Sequence, residues 1–179
     1  MSPRELLRRT FGRMCECVAV ISSKNSPLFF KTSSPDEFLS NQFRVYGALD
    51  IVEEKLSRLS SRSSYGDKET TSNYLGLLYP VDDHYVYGYI TNTNIKFILV
   101  QEAHSTVNDL PKSNAAVQVD SQVKRTFETL HDAYVELVSS PFYIPNTPID
   151  PSASDATKKF EHVVDKILKR SANAVISKL

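Results

Sequence analysis

The chain has 179 residues, long enough to bury a sizeable core, and its 21 basic residues are matched by 21 acidic ones. That balance excludes the whole-molecule field of a nucleic-acid binder or a membrane-surface protein, and a hydrophobic content of 41% excludes a disordered chain. No apolar run reaches the roughly 18 residues that a membrane span needs.

Residues 1–13, MSPRELLRRTFGR, are basic and amphipathic and lack the continuous apolar stretch of a secretory signal. They resemble a transit peptide only faintly, and a flexible N-terminal extension is the plainer reading. CECVAVIS (15–22) is a continuous apolar run with β-branched residues, as in a strand covered on both faces. It holds both cysteines, Cys15 and Cys17. On a regular strand these face the same side with Cα atoms about 6.6 Å apart, at the outer limit for a disulfide. Two reduced, partly buried thiols in a reducing compartment fit best, with lipidation or metal chelation as alternatives.

KNSP (24–27) supplies a turn and LFFKT (28–32) a second strand, making a hairpin. In SSPDE, Ser34 can cap a helix, Pro35 suits its first position, and Glu37 closes a capping box. Leu39, Phe43, Tyr46, Leu49, Val52, Leu56 and Leu59 then recur at steps of three and four, predicting a long amphipathic helix to about residue 60. Phe38 and Val45 widen its apolar stripe, which implies either deep burial or a second surface for a partner. A polar, serine-rich loop (61–73) follows, with Arg-x-Ser spacings of the kind kinases use.

Three strands come next, at 73–79, 84–91 and 95–101, joined by the turn sequences PVDD and NTN in a meander. In the middle strand Tyr85, Tyr87 and Tyr89 share one face, while Val86, Gly88 and Ile90 share the other. After a second polar loop (103–117), Asp120 is placed to cap a helix carrying Val123, Phe127, Leu130, Tyr134 and Leu137, which stops before Pro141. PFYIPNTPIDP (141–151) is an extended connector, and a last helix starts near Ser154–Asp155 with Phe160, Val163, Val164, Ile167 and Leu168 on its apolar face. Two strands, a helix, three strands and two helices predict an α+β domain.

Little in this chain suggests catalysis. Asp82, Asp83 and His84 sit where the chain must reverse, and aspartate is favoured there for turn chemistry. A metal site would need His104, His131 or His162, which lie in other elements without ligand spacing. The five glycines are isolated, so no phosphate loop, dinucleotide fingerprint or nucleophile elbow can be built. Asp50 and Glu53 are one helical turn apart and read as a solvated face or structural ion pairs. Asp50 falls beside Phe43 and Tyr46 at a margin of the apolar stripe, where a charge is suited to docking a partner. Asp50, Phe43, Tyr46 and Glu53 are therefore the candidate partner-binding residues.

The segments CVAVISSKNSPLFFKT, LDIVEEKL, YLGLLYPVDDHYVYGYITNTNIKFILV and SSPFYIPNTPI resemble the sedlin family, small subunits of the transport protein particle (TRAPP) tethering complexes. The resemblance covers about residues 14–168 apart from the two polar loops. Its hairpin wording sits nearer the subunit 2-like branch, while NQFRVYGALDIVEEK and PFYIPNTPI are also similar to sedlin itself. Three features depart from the pattern: residues 1–13, longer loops at 61–73 and 103–117, and Ser140 in place of an asparagine. The resemblance implies one longin-like domain over 14–179, with a five-stranded antiparallel sheet, one helix on one face and two on the other. It also implies a non-catalytic adaptor of a complex that tethers vesicles and activates Rab GTPases in endoplasmic reticulum–Golgi traffic. Its partners would be other TRAPP subunits, with a Rab and the Golgi and endoplasmic reticulum membranes reached only through the complex. The chain would be cytoplasmic and perinuclear, with no cofactor and no nucleic acid. The family's aspartate in the LDIVE segment, thought to matter for partner contacts, maps onto Asp50.

Three other readings compete. One is a different longin-type module, such as a SNARE regulatory domain or a trafficking-adaptor small chain; a SNARE would need a downstream heptad helix and usually an anchor, and neither is seen before Leu179. An unrecognised enzyme would need convergent polar groups in a cleft. A small-ligand binder would need a tyrosine-lined apolar pocket in the sheet–helix crevice.

Overall fold

A computed structural model describes residues 15–63, 72–102, 112–141 and 143–173. The N-terminal extension 1–13, residues 64–71 of the first polar loop, residues 103–111 of the second and the side chain of Leu59 lie outside them. Strands β1 (Cys15–Ile21) and β2 (Pro27–Thr32) form the first hairpin, and a 3-10 turn (Pro35–Glu37) leads into α1 (Phe38–Ser63). The meander is β3 (Tyr74–Val81), β4 (His84–Ile90) and β5 (Lys96–Glu102), followed by α2 (Lys112–Val138) and α3 (Asp155–Asn173).

The five strands form one sheet in the order β2-β1-β5-β4-β3, with every pair antiparallel. On one face α1 packs Val45, Ala48 and Val52 against Cys17, Ala19, Ile98 and Val100. On the other, α2 brings Phe127, Leu130 and Tyr134, and α3 brings Phe160, Val164 and Leu168, onto Val18, Val20, Tyr87, Tyr89, Phe97 and Leu99. The strand alternation produces this division, since β1 and β5 are buried on both faces by successive side chains. The tyrosines of β4 point to the two-helix face as their alternation predicts. This is the α+β, longin-like arrangement that the resemblance implies.

Local chemistry fixes the turns. Asn25, Asp82 and Asn94 all have positive φ, near 62°, 49° and 60°, a region asparagine and aspartate tolerate. The β3–β4 turn is shorter than PVDD suggests: β3 continues through Pro80 to Val81. Proline is accommodated because β3 is an edge strand, as is β2, which begins at Pro27. Both edges are partly covered. The Ile149 N–H of the connector donates to the Leu28 carbonyl at 2.7 Å. The Lys55 ammonium of α1 donates to the carbonyls of Leu75 and Leu77 at 2.9 and 2.7 Å. Partial burial lowers the Lys55 pKa. These contacts occupy backbone groups that would otherwise invite another strand.

Four expectations change. Cys15 and Cys17 do not share a face: a bulge at Glu16 shifts the β1–β5 register, so Cys15 joins the two-helix core and Cys17 the α1 core. Neither is in a disulfide and both are buried, and burial pushes both thiols above their ordinary pKa, which removes the exposure and thiolate character that acylation or chelation needs. The Ser34 side chain makes no cap bond; the chain enters α1 through the 3-10 turn, and Glu37 lies 3.6 Å from Arg44 instead. Helix α2 starts at Lys112, so Asp120 is not its cap but a mid-helix acceptor for the Tyr74 hydroxyl at 2.7 Å. Burial, reinforced by that carboxylate, raises the Tyr74 pKa. Finally, the apolar residues of α1 do not form a single buried stripe.

Candidate partner-binding surface

Two rows run along α1 with the same steps of four, three and four. Asn41, Val45, Ala48 and Val52 are fully buried against the sheet. Leu39, Phe43, Tyr46 and Asp50 are offset from them by two residues, or about 200° around the helix, and face away from the sheet. Relative exposure is 61% for Leu39, 71% for Phe43 and 42% for Tyr46. The predicted stripe is thus split. Its first three members face outward, while Leu49 and Val52 enter the core and Leu56 packs at its margin.

The row turned to the sheet is the smaller one, and it packs on Cys17, Ala19, Ile98 and Val100. The Tyr79 side chain reaches up to the helix, its hydroxyl donating to the Arg44 carbonyl at 2.6 Å, where a Cβ at Gly47 would come within 3.2 Å of it. Phe38, at the start of the helix, meets Phe30 of β2 edge-on with ring centroids 5.1 Å apart. It therefore anchors the helix start to the hairpin and leaves Leu39 and Phe43 projecting beyond it.

Of the four predicted residues, Phe43, Tyr46 and Asp50 lie on this outward row, with Asp50 exposed at the end of an apolar run. Glu53 continues the row by one step but is engaged by the fold. Its carboxylate accepts from the Asn25 side-chain amide at 2.7 Å, and the Asn25 carbonyl oxygen in turn accepts from buried Lys96. Glu53 therefore ties the β1–β2 turn to α1 and borders the row. Leu39 belongs to it and was not among the predicted site residues, although its place four residues before Phe43 marks it. An exposed apolar row on an otherwise charged surface is a physical signature of an interaction site.

The YPVDDHY segment resolves as a turn. Asp82 and Asp83 reverse the chain, and His84 opens β4 opposite Glu102. The His84 Nε2 lies 2.7 Å from a carboxylate oxygen of Glu16, which is 4% exposed. This partly buried pair spans from β1 to β4 across the end of β5. Nothing local in the sequence marks it, because the Glu16 bulge brings the two together. Among the described residues no group of three or more His, Cys, Asp or Glu side chains is placed to hold a metal ion. Nor is any helix among them long and apolar enough to cross a membrane. A recess of about 150 Å³ lies under the connector, lined in part by Tyr143, Ile144 and Pro148, and not in the sheet–helix crevice.

Similarity to known proteins agrees with this architecture. The sedlin family profile matches residues 20–170. The trafficking protein particle complex subunit 2-like protein of Xenopus tropicalis is 35% identical over 144 residues, which is 80% of this chain and 94% of that protein. The protein of the same name from Dictyostelium discoideum is 35% identical over 156 residues, covering 85% and 94%. The transport protein particle 20 kDa subunit of Schizosaccharomyces pombe is 28% identical over 152 residues, covering 79% and 92%. A five-stranded antiparallel sheet between one helix and two, matched along most of its length by this profile, makes the chain a member of the sedlin family.

Proposed function

We propose that the chain is a non-catalytic adaptor subunit of a TRAPP vesicle-tethering complex, acting in endoplasmic reticulum–Golgi traffic. It works at the cytoplasmic side of Golgi and endoplasmic reticulum membranes, which it reaches through the complex. A neighbouring subunit docks on the outward row of α1, where Leu39, Phe43 and Tyr46 supply apolar contact and Asp50 a charge that fixes register. The observation that carries this reading is that row, exposed on a helix whose opposite side is fully committed to the core. The printed names of the relatives, trafficking and transport protein particle subunits, support the assignment to that complex. Apolar anchors surrounding one charge match the usual division of labour at interfaces, with area providing affinity and charge providing specificity.

Affinity purification of the full chain from native lysate tests the reading. Other TRAPP subunits should be recovered, and their absence would contradict it. Rab activation would belong to the assembled complex. In a fluorescent-nucleotide release assay the isolated chain should leave the spontaneous rate of a Rab unchanged, and robust acceleration by this chain alone would overturn the adaptor assignment.

A further inference from the structure

Apart from Asp155 in its first turn, helix α3 sorts its charges by side. Its inward carboxylates, Glu161 and Asp165, both take the ammonium of Lys31 on β2, at 2.6 and 2.7 Å. Its solvent side carries Lys158, Lys159, His162, Lys166 and Lys169, all exposed. Lys158 and Lys159 have only surface partners, Asp155 at 3.3 Å and Glu136 of α2 at 3.2 Å. His162, Lys166 and Lys169 have no ion pair among the described residues. The row from Lys159 to Lys169 is about 15 Å long and one helix wide. Beside it runs a shallow groove between α2 and α3, lined by Glu136, Lys158, Lys159, His162 and Val163.

We infer that this groove is a second docking surface, on the face of the sheet opposite α1, and that it takes an acidic amphipathic helix of a partner protein. Charge complementarity selects the occupant. With Glu161 and Asp165 drawn to Lys31 and Asp155 set against Lys158, the cations His162, Lys166 and Lys169 are left for an outside anion. The pattern is too narrow for a lipid surface. A plane of anionic headgroups lying on the row would also meet the exposed Asp132 and Glu136 of α2, which repel it. A helix with one glutamate row is narrow enough to follow the lysines of α3 and turn its apolar residues onto the partly buried Val163, and the Glu136 it meets there is already paired with Lys159.

The test uses the full chain and a fluorescein-labelled synthetic peptide with a leucine row flanked by a glutamate row at helical spacing. A matched peptide with lysine in place of glutamate and vesicles of phosphatidylcholine with phosphatidylserine serve as controls. The acidic peptide should bind by anisotropy and weaken as salt rises. In Lys159→Glu/Lys166→Glu binding should fall at least about tenfold, with melting unchanged because both lysines are exposed. Carbodiimide should cross-link peptide carboxylates to Lys159 or Lys166. Absence of binding, binding that ignores the double substitution, or co-flotation with the anionic vesicles in place of peptide binding would overturn the inference. Substitutions on α1 should leave this binding intact, so its failure is separable from failure of the α1 surface.

Discussion

On the face covered by α2 and α3 the sheet meets large side chains. Tyr89 stacks on Phe127 with ring centroids 5.6 Å apart, Phe29 meets Phe160 edge-on at 5.2 Å, and Phe97 meets Tyr134 at 5.5 Å. On the face covered by α1 it meets Val45, Ala48, Leu49 and Val52, while Leu39, Phe43 and Tyr46 of that helix point the other way. The two-helix face is where aromatic packing holds the domain together. The one-helix face uses a thinner core to seat a helix whose outward row stands in solvent. A helix seated mainly on small residues, with Leu49 and Leu56 its larger contributions to the core, leaves Leu39, Phe43 and Tyr46 unspent on the fold.

That contrast can be broken by substitution. Phe127→Ala, on the two-helix face, removes a fully buried ring and should cost about 3–5 kcal/mol in a denaturant melt. Val45→Ala, equally buried but under α1, removes two methyl groups and should cost about 2 kcal/mol. Equal costs would erase the distinction between the faces. Ser154→Ala removes the hydroxyl that accepts the Thr157 N–H at 3.2 Å at the start of α3, and should cost about 1 kcal/mol. Phe43→Ala, with a ring as large as that of Phe127, should change stability by less than about 0.5 kcal/mol because the ring stands in solvent. A loss as large as that of Phe127→Ala would place Phe43 in the core and remove the outward row.

Much of this was legible in the residues. The Tyr85, Tyr87, Tyr89 alternation fixed which side of β4 faces the aromatic core, and Asp82 marked the turn, because both signals are local. The Glu16 bulge was not legible, since it depends on how β1 pairs with β5, and it alone moves Cys15 and Cys17 to opposite faces and brings Glu16 to His84. The start of α2 was missed because KSNAAVQ is too polar to show an apolar period, although it lies in the helix. On α1, periodicity located an amphipathic helix but could not rank its two rows. Leu39, Phe43 and Tyr46 are more hydrophobic by size than Val45, Ala48 and Val52. Packing against Cys17, Ala19, Ile98 and Val100 decides for the smaller row. Asp50 is a candidate docking residue both from its place beside Phe43 and Tyr46 and from the family resemblance. What changes is that it lies in line with them on the outward side, not at the rim of a buried stripe.

The most direct test of the α1 surface is Asp50→Lys, read in two ways on the same protein: a thermal or denaturant melt, and co-purification of TRAPP subunits from native lysate. The exposed position predicts a melt within about 0.5 kcal/mol of the parent. Charge reversal at an interface predicts that recovery of the neighbouring subunit is lost, since repulsion or a stranded partner charge costs several kcal/mol of binding. Normal melting with normal co-purification would remove Asp50 from the interface, and loss of the fold together with the partner would return Asp50 to a structural role.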